Sequence, residues 1–337
     1  MNLRRVFSVK LVAFGALAWM VAMPGTAQNQ TPPPAASSTP LPWAYALNPP
    51  AVPGATPPAN DGSLKHVPGS SVGLTLPQTR DLFNPPDWYP DDHPAMPDVV
   101  AHGRRPDVRA CGYCHLPNGQ GRPENASLAG LSAAYIEQQM ADYRNGLRKS
   151  SEPRMGPPST MLVIGKAATE AEAKIAAEYF ASIKPKKWIR VVETKTVPKT
   201  HVNGWMLVTE EGGATEPIGQ RIIEVSEDLE RTELRDSKSG FIAYVPTGSL
   251  KKGEALVKTG GNGKTIRCTT CHGQDLKGIG AVPSIAGRSP SQMTRQLWDI
   301  QKGNRNGPWT QLMKEAVAKL NTDDFVSITA YLASLNP

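Results

Sequence analysis

Two five-residue stretches decide the fold of this chain: CGYCH at residues 111–115 and CTTCH at residues 268–272. Together they contain all four cysteines of the 337-residue sequence. Each stretch has the pattern C-x-x-C-H, in which two thiols lie along one helical edge and a histidine follows directly. The two thiols can bond to the two vinyl groups of a porphyrin, and the imidazole can bind the iron. The sequence therefore predicts two covalently attached haem c groups.

Other chemistries also use paired cysteines. A single C-x-x-C-H is compatible with a zinc site or a thioredoxin-like redox pair, but a zinc ribbon does not need the trailing histidine in both copies. Two complete copies, which leave no cysteine for a disulfide, favour haem. The predicted haem-attachment residues are Cys111, Cys114, His115, Cys268, Cys271 and His272.

The first 27 residues have the features of a secretory signal peptide. Basic residues at positions 4, 5 and 10 precede an apolar run over 11–23, and Ala27 ends a small-residue cleavage site. We expect cleavage after Ala27 and a periplasmic protein, with an uncleaved anchor as the alternative. No later stretch approaches the ~20 apolar residues that a membrane helix needs. The formal net charge of +7 includes the three basic residues and is too small to indicate nucleic-acid binding.

The two stretches belong to an internal repeat. A shift of 157 residues aligns residues 111–148 with 268–305 without a gap. Beyond that point a shift of 152 residues aligns the copies until they end at Pro185 and Pro337. Each copy has about 80 residues, a size that a haem-filled core can stabilise.

Each copy predicts helices around its haem. Ser132 and Ser289 are the predicted N-caps of one helix in each copy, and the last helices begin at Thr169 and Thr322. The apolar spacing of the helix from Thr169 predicts that Ile175 faces inward.

A low-spin electron carrier needs a second axial ligand on each iron, and a methionine thioether is the usual one. Met161 and Met313 occupy equivalent positions in the repeat, in what we interpret as irregular chain between two helices. They are the predicted sixth ligands, with Met155 as an alternative to Met161. Met140 and Met293 lie on predicted helix faces and are interpreted as packing residues.

Each haem histidine also needs an acceptor for its second ring N–H. We expect this acceptor to be the carbonyl of Pro283 in the second copy and that of Ala126 in the first. A bis-histidine haem is the alternative to methionine ligation, most plausibly through His102 or His93. The histidines outside the two stretches are His66, His93, His102 and His201.

Each copy resembles a class I c-type cytochrome domain, and the pair resembles a di-haem cytochrome of the c4 type. The shared features are the C-x-x-C-H stretches, the Ala-Gly pairs at 129–130 and 286–287, and the Gly-x-Arg triplets at 146–148 and 303–305. The resemblance implies that iron is bound by His115, Met161, His272 and Met313, and that electrons pass between adjacent haems.

Two regions depart from the c4 pattern. A long arm precedes the first copy, and residues 186–249 replace a short linker with β-type runs rich in branched and aromatic residues. The predicted fold is therefore mainly α, with two cytochrome c-like helical domains, a small β-rich insertion and an irregular Pro-rich arm. We divide the chain into a signal peptide (1–27), a Pro-rich disordered linker (28–73), a first cytochrome c domain with its arm (74–185), a β-rich bridging segment (186–248) and a second cytochrome c domain (249–337).

The leading hypothesis for function is a carrier that passes single electrons between periplasmic redox proteins, such as a dehydrogenase and an oxidase. The alternative is a subunit of a haem enzyme, either peroxidase-like or a thiosulfate-type oxidoreductase. Such an enzyme needs one iron with an exchangeable ligand, whereas the sequence offers a methionine for each haem. The hypothesis that the protein also catalyses a reaction stays open at this stage.

Overall fold

The computed structural model describes residues 40–50 and 61–337, so the predicted signal peptide lies outside the described residues. Short 3-10 turns occur at Pro90–Asp92 and Pro308–Thr310. The helices are α1 (Leu76–Thr79), α2 (Asp98–Ala101), α3 (Cys111–His115), α4 (Ala133–Arg144), α5 (Gly156–Ala167), α6 (Glu170–Ser182), α7 (Leu229–Glu233), α8 (Ser249–Thr259), α9 (Thr269–His272), α10 (Pro290–Gln301), α11 (Gln311–Val317) and α12 (Thr322–Ser334). The strands are β1 (Leu64–Lys65), β2 (Leu74–Thr75), β3 (Ile189–Thr194), β4 (Thr196–Pro198), β5 (Thr200–Asn203), β6 (Met206–Thr209), β7 (Thr215–Pro217), β8 (Ile223–Ser226) and β9 (Phe241–Pro246).

The predicted helices of both copies are present, with the predicted starts. Ser132 and Ser289 are the N-caps of α4 and α10, and each side-chain oxygen accepts a bond from a backbone N–H of the first turn. Thr169 forms a capping box with Glu172 at the start of α6. In α12 the capping box belongs to Asn321, one residue before the predicted first residue. These caps satisfy backbone donors that would otherwise lack a partner.

Two predictions about helix environments are wrong. Ile175 does not face inward: it is 46% exposed, because the buried face of α6 is formed by Ala173, Ala176 and Ala177, whose small side chains let the helix pack closely. Met161 does not lie in irregular chain but in the middle of α5. Prolines precede it in the sequence, but they fall in the first turn of that helix, where no backbone N–H partner is lost. Met313 likewise lies within α11.

The insertion is built around a three-stranded sheet in the order β3-β9-β8. The strands β3 and β9, which begin and end the insertion along the chain, are parallel neighbours in this sheet, with Ile189 beside Phe241. At the start of this pairing the backbone N–H of Phe241 donates to the carbonyl of Trp188 at 2.9 Å. Apolar residues of this sheet share one core with the second copy, whereas the first copy has a separate core.

The prediction of a disordered linker over residues 28–73 is wrong for part of that range. Residues 41 and 43–46 are buried, and residues 64–65 pair with 74–75 as a short antiparallel ribbon. The Tyr45 hydroxyl donates to Asp299 Oδ1 at 2.7 Å, and the Ala44 carbonyl accepts from Arg295 at 2.7 Å. Two aromatic anchors, Trp43 and Tyr45, therefore order a stretch whose composition otherwise resembles a linker.

The packing of α8 against α12 depends on Gly253. A Cβ atom at this position would lie 2.0 Å from the carbonyl oxygen of Ser327 and 2.7 Å from Cβ of Tyr331. The obstacle is backbone, which cannot rotate away. Gly253 therefore sets the distance between the helix that enters the second copy and the helix that ends it.

We expect Gly253→Ala to destabilise the protein by about 2 kcal/mol, because overpacking outweighs the ~1 kcal/mol that alanine gains in a helix. Denaturant unfolding followed by far-UV circular dichroism measures the change. Lys251→Ala, on the exposed face of the same helix, is the matched control and should stay within about 0.5 kcal/mol of the unmodified protein. Equal stability of the two variants would contradict this account of the helix contact.

Glu224 of β8 connects the insertion to the start of α10. Its Oε2 accepts bonds from the Ser289 hydroxyl (2.8 Å), the Ser291 hydroxyl (2.5 Å) and the Ser291 backbone N–H (3.2 Å). Its Oε1 is buried without a hydrogen-bond partner. Burial raises the pKa of the Glu224 carboxyl above its ordinary value, although the serine hydrogen bonds oppose this change.

A carboxyl whose pKa is raised on folding stabilises the folded state at low pH, and this contribution is lost as the pH rises through the folded pKa. We therefore expect Glu224→Gln to be more stable than the unmodified protein at pH 8, with the difference shrinking toward pH 4. Thermal unfolding across that pH range measures it. Glu227→Gln, an exposed carboxylate on the same insertion, should show no such trend. A constant difference at all pH values would contradict the assignment.

Candidate functional site

Both C-x-x-C-H stretches open into one cavity of about 850 Å³ between the two copies. None of the histidines at 66, 93, 102 and 201 lines this cavity within the part of the chain that the structure describes. His93 instead bonds Asp87 at 3.1 Å, which leaves it outside the site. The six predicted attachment residues all line the cavity: Cys111, Cys114, His115, Cys268, Cys271 and His272.

The two histidines are held in the same way. Nδ1 of His115 lies 2.7 Å from the Ala126 carbonyl oxygen, and Nδ1 of His272 lies 2.8 Å from the Pro283 carbonyl oxygen. Both predicted acceptors are thus confirmed. Nδ1 donates to a carbonyl, so Nε2 is the unprotonated nitrogen that can bind a metal. Burial lowers the pKa of both imidazoles, which favours the neutral, metal-binding form.

The surroundings of Cys111 and Cys268 favour the neutral thiol, whereas Cys271 is exposed. Burial raises the pKa of Cys111 to about 12 and that of Cys268 to about 11. A thioether bond carries no charge, so it suits these surroundings better than a thiolate would. Among the described residues no group of three or more His, Cys, Asp or Glu side chains is arranged to hold a metal ion.

Met161 and Met313 both line the cavity, one from α5 and one from α11. Met155 does not line it; this side chain is completely buried in the core that the insertion shares with the second copy. Met140 and Met293, predicted to be packing residues, do form part of the cavity wall. Lining the cavity therefore does not show which of these four methionines bind iron. The argument for Met161 and Met313 as ligands remains their equivalent position in the repeat.

Two pairs of cavity-lining residues, related to each other by the repeat, bond one copy to the other. Arg148 Nη2 donates to Gln296 Oε1 at 2.9 Å, and Arg305 Nη2 donates to Gln139 Oε1 at 2.8 Å. Both the arginines and the glutamines are related by the shift of 157 residues. The backbone follows the same symmetry, because the N–H at 149 donates to the carbonyl at 304 and the N–H at 306 to the carbonyl at 147, each at 2.7 Å. The copies thus face each other about an approximate two-fold axis.

The Gly-x-Arg triplets are visible in the sequence, but their role in joining the copies follows only from the structure. The signal was the recurrence of an arginine and a glutamine at the same shift. Because the copies are in direct contact here, the long insertion does not separate them, and both C-x-x-C-H stretches belong to one site.

The cavity also carries buried positive charge. Arg288 donates to the carbonyls of Ser127 (2.9 Å) and Ser284 (2.8 Å), and Arg295 donates to carbonyls at positions 44 and 123. Burial among neutral acceptors lowers the pKa of Arg288 to about 10. Such cations favour an anionic ligand. A haem fits this donor set, since its ring is apolar and its two propionates are carboxylates.

No protein-family model matches the chain. The thiosulfate dehydrogenase electron acceptor of Stutzerimonas stutzeri (strain A1501) is 30% identical over 236 residues, which cover 69% of this chain and 82% of that protein. The chain belongs to the di-haem class I c-type cytochromes. The protein of the same description from Thiomonas intermedia (strain K12) is 22% identical over 234 residues, 68% of this chain and 80% of the relative.

Among solved structures, reduced recombinant cytochrome c4 from Pseudomonas stutzeri superposes with a TM-score of 0.43 at 20% identity, over 67% of this chain and 93% of that one. Membership of the di-haem class I c-type cytochromes means that the protein transfers electrons through two covalently bound haem c groups, as the motifs predicted. None of the helices in the described ranges is long and apolar enough to cross a membrane.

The crossed arginines give a test of the contact between the copies. Arg305 is 7% exposed and bonds Tyr135, Gln139 and Gln296. We expect Arg305→Ala to lower the free energy of unfolding of the holoprotein by about 2 kcal/mol, because several charge-assisted bonds are lost in a buried place. Denaturant unfolding measures this, with Arg190→Ala as control, since its ion pair with Glu227 is exposed and contributes little. Equal effects of the two substitutions would contradict a stabilising role for the crossed bonds.

Proposed function

We propose that the first haem is held by thioethers to Cys111 and Cys114 and the second by thioethers to Cys268 and Cys271. In this proposal the axial iron ligands come from a histidine and a methionine of each copy. One pair is His115 and Met161, and the other pair is His272 and Met313. The haem supplies reversible one-electron chemistry when bound. The observation that carries the proposal is that both C-x-x-C-H stretches line one cavity, each with its histidine Nε2 free to bind iron.

The protein's own groups then bind the haems, orient the iron ligands and tune the reduction potentials. The carbonyls of Ala126 and Pro283 fix each imidazole ring, which also makes Nε2 a better electron donor. The buried arginines offset the negative charge that the propionates bring. A positive charge near the haem disfavours ferric iron more than ferrous iron, so these arginines would raise the reduction potential. The proposed domain limits are 74–185 and 249–337, bridged by 186–248.

For partners, the names of the relatives guide the proposal. Both are described as acceptors of electrons from thiosulfate dehydrogenase. We infer that this cytochrome works in the periplasm, after cleavage at Ala27, and accepts electrons from a dehydrogenase of that kind before passing them to an oxidase or another carrier. The enzyme alternative needs an iron with an open position. Support for the carrier comes from the methionines at equivalent wall positions of both copies.

The ligand proposal is tested on the ferric holoprotein by optical and EPR spectroscopy, with haem counted as pyridine haemochrome. We expect two haems per chain, both low-spin and both with a methionine-to-iron charge-transfer band. Met161→Ala and Met313→Ala should each remove about half of that band, because each substitution deletes one thioether ligand. Met155→Leu is the control and should keep the full band.

Two outcomes would change the assignment. Loss of the band in Met155→Leu with retention in Met161→Ala would transfer the ligand role to Met155. A high-spin or bis-histidine haem in the unmodified protein would contradict two identical sites and favour the haem-enzyme alternative.

A further inference from the structure

The two haem-attachment loops, residues 111–122 and 268–279, are equivalent in the repeat but differ in exposure. Tyr113 is 7% exposed, whereas its equivalent Thr270 is exposed. Arg122 is 6% exposed, whereas its equivalent Ile279 is 58% exposed. Because the two loops are equivalent in the repeat, the difference comes from what the rest of the chain places on the first loop.

The insertion covers the first loop. Arg235 Nη1 donates to the Tyr113 carbonyl at 3.0 Å, and the same guanidinium stacks 3.7 Å from the centre of the Tyr113 ring. Next to it, the side chains of Asn118 and Gln120 donate to the carbonyls at 237 (2.8 Å) and 239 (3.0 Å). All four contacts involve residues 235–239, which therefore act as a cap on the first loop.

The N-terminal arm completes this cap. The Ala110 backbone N–H donates to the Leu82 carbonyl at 3.1 Å. A Cβ added to Gly112 would lie 3.3 Å from Cγ of Pro85, so the arm also packs directly on the C-x-x-C-H turn. A protein surface cannot reach this side of the first loop without displacing chain.

The second loop has an open, mildly basic surface. Its exposed apolar side chain is Ile279 (58%), and Ile266 (42%), two residues before the loop, lies at the edge of the haem cavity. Between residues 262 and 280 the charged side chains are Lys264, Arg267, Lys277 and Asp275. Lys264 is ion-paired with Asp324, so the basic rim consists of the exposed Arg267 and Lys277, whose ammonium also donates to the Pro337 carbonyl oxygen at 2.9 Å. An apolar centre with a basic rim is complementary to a protein that presents acidic side chains around its own redox centre.

We propose that partner proteins exchange electrons with this cytochrome at the second attachment loop, and that the cap formed by residues 235–239 and the arm makes the first haem the inner one. The partner is a redox protein with an acidic docking surface. The inference rests on the haem positions given under Proposed function. Electrons then enter or leave through the second haem and reach the first only across the cavity.

The test uses the full-length holoprotein in its reduced form and an acidic blue copper protein, plastocyanin, as the oxidising probe. Stopped-flow absorbance gives the bimolecular rate of oxidation at low and high salt. We expect Lys277→Glu to slow this rate by about fivefold or more at low salt, because the charge reversal opposes the approach of the acidic probe, with the difference disappearing at high salt. Lys166→Glu is the matched control, since Lys166 is exposed on α5 of the first copy.

Oxidation by ferricyanide, a small molecule, distinguishes a failure of the docking inference from a failure of the electron-transfer proposal. Ferricyanide should oxidise both haems of the unmodified protein; if it does not, the electron-transfer proposal itself fails. If ferricyanide oxidation is normal but Lys166→Glu slows the plastocyanin reaction as much as Lys277→Glu does, or more, the second loop is not the docking surface and the inference is overturned. Haem content and far-UV circular dichroism of each variant establish that it is folded before its rate is compared.

Discussion

The crossed bonds between Arg148 and Gln296 and between Arg305 and Gln139 are the constraint on which the rest of the structure depends. A guanidinium presents its donors in a fixed plane, so two such bonds related by symmetry fix both distance and orientation. They set the copies face to face, and both attachment loops open into one space as a result. Since the acceptors are neutral amides, the positive charge of the arginines stays available to the carboxylates of a bound haem.

Features whose partners lie close in the chain could be predicted from the sequence. The thiols and histidine of each C-x-x-C-H stretch share one helical turn. The acceptor carbonyls at 126 and 283 follow their histidines by the same short interval, and the serine caps at 132 and 289 act on the next turn. In each case local geometry alone decides the contact, so the residue types and their spacing are sufficient evidence.

Contacts between distant parts of the chain could not be predicted in this way. Tyr45 reaches Asp299 across 254 residues of sequence, and Arg235 reaches Tyr113 across 122. The stretch around Tyr45 is rich in Pro and Ala, so its composition predicts a disordered linker, although the buried Trp43 and Tyr45 anchor it. The error at Ile175 has a different origin. Periodicity predicts that α6 has an apolar face, but packing against the neighbouring helix buries the alanines instead, because only small side chains allow that close approach.

The parallel pairing of β3 with β9 has a consequence for how the chain could have acquired its insertion. Parallel neighbours lie about 4.8 Å apart, and Phe241 stands beside Ile189, directly after the Trp188 carbonyl that accepts its N–H. The chain that leaves the first copy at Trp188 therefore returns to the same point, running in the same direction, at Phe241. Residues 189–240 therefore begin and end at neighbouring points of the structure. A chain joined directly from Trp188 to Phe241 would have a short linker between the two cytochrome units, along the path that β9 already follows.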